Sequence, residues 1–203
     1  GGFIAINDEE LYRRLTELMI IVEGFPTYGG LTGRDLDVLA VGLQEVMELD
    51  YLEYRINQVR YLGDMLKDTG LPIVEPTGGH AVFVDAGQLL PHIPAHKFPG
   101  QSLAVEFFVE GGIRVVELGS LMFGGFNPNN GEKLTAKREL IRLALSRRVY
   151  TNSHLDYIAE VAGRIALKKE SLTGYEITRQ ATFLRHFTCE LKPDNTANIK
   201  VNS

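Results

Sequence analysis

Apolar residues recur at helical spacing from Glu9 to about Val22, with Leu11, Leu15, Leu18, Met19 and Val22 on one stripe. Ahead of it, Gly1-Gly2-Phe3-Ile4-Ala5-Ile6-Asn7 reads as a strand already under way, and Asp8-Glu9-Glu10 supplies a helix start. The run Gly24-Phe25-Pro26-Thr27-Tyr28-Gly29-Gly30 breaks the helix with three glycines and a proline. A second helical pattern extends from about Arg34 to Lys67. Its apolar positions are Leu36, Leu39, Leu43, Val46 and Met47, then Leu52, Ile56, Val59, Leu62 and Leu66. Gly70 and Pro72 stop it. A helix of that length, on the order of 50 Å at 1.5 Å per residue, backs a sheet or links two domains.

After Pro72 the rhythm changes. Pro72 to Glu75 and His80 to Asp85 read as strands, separated by Pro76-Thr77-Gly78-Gly79. A proline-bearing loop (Pro91, Pro94, Pro99) leads to a helix from about Gln101 to Glu110, then a short strand from Ile113 to Leu118. The glycines and asparagines between Phe123 and Glu132 predict an exposed loop. Ile141, Leu143 and Leu145 alternate with Arg142, which predicts a strand with one buried face. Ser153-x-x-Asp156 predicts a helix start before Leu155, Ile158, Ala159, Ala162 and Ile165. Gly174 to Ile177 and Leu184 to Leu191 read as closing strands, and the polar residues from Pro193 on read as a fraying tail. Strands and helices mix without strict alternation, so the expected class is α+β, helices on one face of a mostly antiparallel sheet.

Composition narrows the function classes. With 44% apolar and 23% charged residues, the 203-residue chain matches ordinary folded domains, not a disordered or fibrous one. A net charge of −5 leaves no basic footprint for nucleic acid or an anionic membrane. Apolar runs such as Leu18 to Val22 are too short to span a bilayer. A single cysteine, Cys189, forms no internal disulfide and suits a reducing, cytoplasmic compartment.

No Walker loop, Cys/His cluster or Gly-x-Ser-x-Gly elbow is present. His92 and His96 have metal-pair spacing, but Pro91 and Pro94 keep that segment out of a helix, and a solvated loop explains both. Arg142 lies mid-strand and Arg147-Arg148 follow the strand end, where a guanidinium grips a carboxylate in a planar fork or joins a surface ion pair. His80 follows a Gly-Gly pair that permits close approach of a ligand or of another backbone. His186 stands between Arg185 and Phe187, and Tyr28 sits on the glycine-hinged turn. Taken alone, these residues give scattered candidates and no reaction.

Three runs read together carry a resemblance: Glu23 to Asp35, Tyr54 to Asp64 and Gly78 to Ala86. They continue in Phe98-Pro99-Gly100-Gln101-Ser102, Arg147-Arg148-Val149-Tyr150-Thr151-Asn152 and Leu184-Arg185-His186-Phe187-Thr188. The chain up to about Pro193 resembles the C-terminal part of the β-eliminating lyases, the tryptophanases (tryptophan indole-lyases) and tyrosine phenol-lyases. It departs from the family pattern at Ala144-Leu145-Ser146 and in the Phe123 to Asn127 loop.

The resemblance implies an aspartate-aminotransferase-like, fold type I enzyme that uses pyridoxal phosphate, with a monovalent cation (K+), to split an amino acid into its leaving group, pyruvate and ammonia. It implies a large-domain remnant over residues 1–33, a long linking helix over 34–70, a small C-terminal domain over 71–193 and a flexible tail over 194–203. In the family the cofactor lysine lies shortly before a Gly-Gly strand like Gly1-Gly2-Phe3, so the resemblance implies that it precedes Gly1, and none of the eight lysines present offers a substitute. The 203-residue chain is then expected to be inactive alone and to bind no cofactor by itself. Arg147 would grip the substrate α-carboxylate. Leu118, His186 and Phe187 would shape the leaving-group pocket, with Tyr28 close by and His80 behind it. Tyrosine phenol-lyases carry an arginine where Leu118 stands and Phe-Phe where His186-Phe187 stand, so tryptophan is the favoured substrate. Tyrosine or cysteine/serine β-elimination is the alternative, and a non-catalytic, subunit-pairing module a third reading. The resemblance further implies a homo-oligomer, a tetramer in the parent family.

Overall fold

A computed structural model describes residues 2–127, 129–181 and 184–194. The chain divides into two compact units, one up to Glu53 and the other from Tyr54 on.

In the first unit, α1 (Glu9–Val22) starts at Asp8, whose carboxylate accepts the Leu11 N–H at 2.9 Å. The glycine turn that follows cannot be built otherwise. Gly30 has φ +73°, and a Cβ there would lie 2.2 Å from the Glu23 carbonyl oxygen. Thr32 then caps α2 (Gly33–Glu45) through the Asp35 N–H. Residues 2–8 form no strand, contrary to the reading of Gly1 to Ile6; a strand exists only when a neighbour supplies its ladder, and none lies in this unit among the described residues. No described residue up to Glu53 is buried.

The long helix expected from Arg34 to Lys67 is two helices, α2 and α3 (Leu49–Asp68). The apolar positions explain the break. At about 100° per residue, the stripe of Leu36, Leu39, Leu43 and Met47 and that of Leu52, Ile56, Val59 and Leu66 point roughly 170° apart. One straight helix would present them to opposite sides, so the chain turns after Val46, where the Met47 and Glu48 N–H groups make i→i+3 hydrogen bonds to Gln44 and Glu45.

The second unit is built on a three-stranded antiparallel sheet in the order β1-β5-β2. β1 (Ala81–Asp85) leads straight into the short α4 (Ala86–Leu89), and α5 (Pro99–Gly111) precedes β2 (Val116–Leu118). A turn of helix, α6 (Ser120–Phe123), joins β2 to a small hairpin of β3 (Gly125–Phe126) and β4 (Lys133–Leu134). β5 (Leu140–Ala144) runs between β1 and β2, with Val82 opposite Leu143 and Glu117 opposite Ile141. The expected strand at Pro72 to Glu75 is only a single bridge, Ile73 to Val84.

α7 (Asn152–Lys168) is capped two residues earlier than Ser153-x-x-Asp156 suggests. Thr151 is the N-cap and His154 closes the reciprocal capping pair. Val82, Val84, Ile141, Leu143 and Leu145 meet Val59, Leu62 and Leu66 of α3, Leu103 and Phe107 of α5, and Leu155 and Ile165 of α7 in one core. A second hairpin pairs β6 (Tyr175–Arg179) with β7 (Glu190–Pro193). Between them, the segment read as a strand from Leu184 forms a helical turn instead, α8 (Arg185–Thr188). Arg185 holds it there by donating to the carbonyl oxygens of Ser120, Leu121 and Gly124. Asp194, counted with the tail, donates its N–H to the Gly174 carbonyl and pairs with Lys97 at 3.0 Å; residues 195–203 lie outside the described residues. The described residues are thus an α+β arrangement of helices with small antiparallel sheets.

Candidate functional site

The strand register sorts the candidate residues. β5 ends at Ala144 beside Ala81, so the turn carrying Arg147 and the residue His80 share one end of the sheet. β5 begins at Leu140 beside Leu118, at the other end. The strand between spans roughly 13 Å at about 3.3 Å per residue. Two-residue alternation puts Glu117 on the core side with Ile141 and Leu118 on the opposite face with Leu140.

At the first end, the turn after β5 is pinned from α3. The buried Arg55 guanidinium donates to the carbonyl oxygens of His80 and Leu145 and to Gln58 Oε1, and Gln58 Nε2 donates to the Tyr150 carbonyl at 2.7 Å. Between these anchors, Arg148 takes a left-handed φ of +56°. Arg147 is exposed, and its guanidinium has no hydrogen-bond or ion-pair partner among the described residues. His80 is exposed as well and meets Phe83 edge-on at 6.3 Å.

At the second end, His186 and Phe187 follow one another on α8 with ring centroids 5.0 Å apart in a T-shape. Phe187 is 77% exposed, whereas His186 reaches inward and its Nδ1 lies 3.4 Å from Glu117 Oε2. Glu117 is 2% exposed, and its carboxyl accepts the N–H groups of Leu121 and Met122. Burial pushes it up to about 7, and the charge of Glu139 pushes the same way. Glu139, also buried, accepts from the Ser120 N–H and hydroxyl, and burial raises it too. Burial and the neighbouring Arg185 charge hold His186 below the usual imidazole value.

Leu118 therefore stands near the carboxyl–histidine pair in sequence but on the other face of β2, and Tyr28 belongs to the first unit. Sequence reasoning missed Glu117, Glu139, Arg55 and Gln58. Three of them carried a signal: Glu117 as a charge between Val116 and Leu118 in an apolar strand, and Arg55 and Gln58 as polar residues on the same helical stripe as Val59 and Leu62. None of the six predicted residues lines the two clefts of the second unit. The larger, of about 590 Å3, lies between β6 and the β3–β4 hairpin, with Lys97, Phe126, Lys133 and Arg179 on its walls. The other, of about 410 Å3, is lined by Tyr54, Gln58, Tyr61 and Asn152. His92 contacts the Leu172 carbonyl and Glu170, and no group of three or more ligating side chains occurs among the described residues. No helix of the described residues is long and apolar enough to cross a membrane.

A helix-backed antiparallel sheet with a free arginine at one end and a buried carboxyl–histidine pair at the other defines an α+β domain. Residues 1–161 match the family model described as beta-eliminating lyase, and the chain belongs to that family. It is 53% identical over 193 residues to the tryptophanase of Salinibacter ruber, covering 95% of this chain and 41% of that protein. The tyrosine phenol-lyase of Clostridium tetani is 46% identical over 190 residues, covering 94% of this chain and 41% of its own length. The tryptophanase of Rhodobacter capsulatus is 48% identical over 192 residues, 95% of this chain and 42% of its own. The chain thus spans about two fifths of the length of these relatives.

Membership implies a fold type I enzyme dependent on pyridoxal phosphate. The described lysines do not fit the role of its Schiff-base amine, which needs a desolvated, readily deprotonated nitrogen. Lys67, Lys97 and Lys168 pair with carboxylates that raise them further, and Lys192 pairs with Glu176. Lys133 and Lys137 are exposed, and Lys169 sits on the 3-10 turn after α7.

Proposed function

We propose that this chain is the substrate-side part of a tryptophanase-like, pyridoxal-phosphate-dependent β-eliminating lyase that releases indole, pyruvate and ammonia from tryptophan. The cofactor lysine, and with it catalysis, belongs to protein outside this chain, so that the 203 residues alone are inactive and bind no cofactor. K+ and a homotetrameric assembly go with that reading. The observation that carries it is Arg147, exposed and unpartnered on a turn that Arg55 and Gln58 pin to α3. A surface arginine has no need of such support, whereas a carboxylate clamp does.

In this reading Arg147 binds the α-carboxylate and orients the amino acid along the sheet. His186 and Phe187 receive the aromatic leaving group at the other end, which Leu118 borders from the opposite face of β2, with His80 as a further contact. Leu118 favours indole: a phenol oxygen facing leucine loses its hydrogen-bond donor on burial, a large penalty for tyrosine.

Replacing Arg147 in the complete encoded enzyme tests the assignment. Arg147→Lys keeps the charge but loses the bidentate fork, and is expected to lower kcat/KM for tryptophan about 10–100-fold with the loss mainly in KM. Unchanged kinetics would refute the clamp.

A further inference from the structure

The site as proposed makes no use of the buried carboxyl of Glu117. We propose that Glu117 is a positioning residue that, as a carboxylic acid, donates its proton to His186 Nδ1 and fixes the neutral imidazole as the tautomer with its hydrogen on Nε2. The proposal deepens the tryptophanase-like reading, on which it rests for the use of that N–H beside Phe187.

Hydrogen-bond accounting leads there. His186 Nδ1 is buried and has no hydrogen-bond partner among the described residues, although Glu117 Oε2 lies 3.4 Å away. A buried, unsatisfied ring nitrogen is costly, and a proton on Oε2 removes that cost. The neighbours decide which carboxyl keeps a proton. A Cβ on Gly119 would fall 2.3 Å from Glu139 Oε2 and 2.7 Å from Glu117 Oε1, so the two carboxyls flank one glycine. Two like charges so placed in a buried site do not both ionise. Ser120 donates its hydroxyl and its N–H to Glu139 while its oxygen accepts from Ala136, which favours charge on Glu139. Glu117 receives only backbone donors, those of Leu121, Met122 and Gly119, and no hydroxyl. A Cβ on Gly100 of α5 would lie 3.1 Å from the Glu117 Cγ, so the glycine lets α5 pack close beside it.

The remaining charged or titratable groups are accounted for. Asp85 acts on Glu139 and raises it. Arg185 spends its donors on three carbonyl oxygens and, as a cation beside His186, opposes an imidazolium. Cys189 is raised by burial and by Glu117 and stays a thiol. With Glu117 at about 7 and His186 below its usual value, the single shared proton resides on the carboxyl. Above pH 7 the carboxylate becomes an acceptor, and the ring hydrogen moves to Nδ1.

Long-range 1H–15N spectra of the 15N-labelled 203-residue chain read both ring nitrogens of His186 directly and need neither substrate nor cofactor. The expected result is a neutral ring with hydrogen on Nε2 at pH 6, crossing to hydrogen on Nδ1 as pH rises through about 7. Glu117→Gln, whose amide still donates but cannot ionise, is expected to abolish the crossover. A charged His186 at pH 7 that loses its charge in Glu117→Gln would overturn the proposal in favour of an ion pair. One tautomer at all pH values in both proteins would also overturn it. If the variant does not fold, the Glu117 carboxyl carbon in the unmodified chain decides: a titration midpoint near 7 supports the assignment, and one near the usual 4.5 refutes it. A crossover in a protein without lyase activity would leave this pair standing and refute only the functional reading.

Discussion

At the scale of single residues, Glu117 links protonation to stability. Its carboxyl titrates at about 7 in the folded chain against an ordinary 4.5. Between these values the folded state binds more protons than the unfolded state, so this group's contribution falls as pH rises and is lost above about 7. At about 1.4 kcal/mol per unit the full difference is about 3.5 kcal/mol. Glu139, raised by burial, adds to the same slope. Glu110 and Glu176, held below their usual values by Lys168 and Lys97, slope the opposite way at lower pH. Glu117→Gln is therefore expected to flatten the decline in unfolding free energy between pH 5 and 7.5, measured by urea denaturation at both values. An equal decline in the variant would show that the slope arises elsewhere. The sequence displayed this residue as a charge inside a valine-rich strand. Its partner stayed hidden because His186 is 69 residues away and arrives through a helical turn that the pattern read as a strand.

At the scale of elements, α3 organises the end of the sheet that carries Arg147. Arg55 and Gln58 share the stripe of Val59, Leu62 and Leu66, so the helix buries a guanidinium in its apolar face. That charge meets only carbonyl oxygens and an amide, and those bonds tie together the ends of β1 and β5. Arg55→Met keeps the stem but strips two carbonyls of a donor, and is expected to destabilise the second unit by about 2–4 kcal/mol. Amide exchange at Leu145, whose N–H bonds the His80 carbonyl, is expected to rise ahead of exchange in α7. Uniform acceleration across the unit would deny Arg55 its local role. Most elements were legible because their signals are local. The alternation of Ile141, Leu143 and Leu145 gave β5, and the stripe of Leu155 to Ile165 gave α7. The break between α2 and α3 was legible only in the phase of the stripe, not in its presence, and the cap of α7 was misplaced because Thr151 pairs with a histidine in place of the usual acid.

At the scale of the whole molecule, the two units differ in kind. The second has a continuous core of α3, α5, α7 and the central sheet. Up to Glu53 no described residue is buried, and Leu18, Ile21, Val22, Val41 and Met47 stay exposed. The pattern of apolar residues located those helices but carried no information on what covers them. Likewise Arg147, Leu118, His186 and Phe187 were found by resemblance to the family, while the support behind them emerged only from the fold. The central claim is a tryptophan-cleaving lyase whose substrate-side residues lie in this chain. Its most direct test is pyruvate release by the complete encoded enzyme, given pyridoxal phosphate and K+, with tryptophan and tyrosine compared side by side. The account predicts higher kcat/KM for tryptophan with stoichiometric indole, and a shift toward tyrosine in Leu118→Arg. Pyruvate from tyrosine with none from tryptophan in the unmodified enzyme would contradict it.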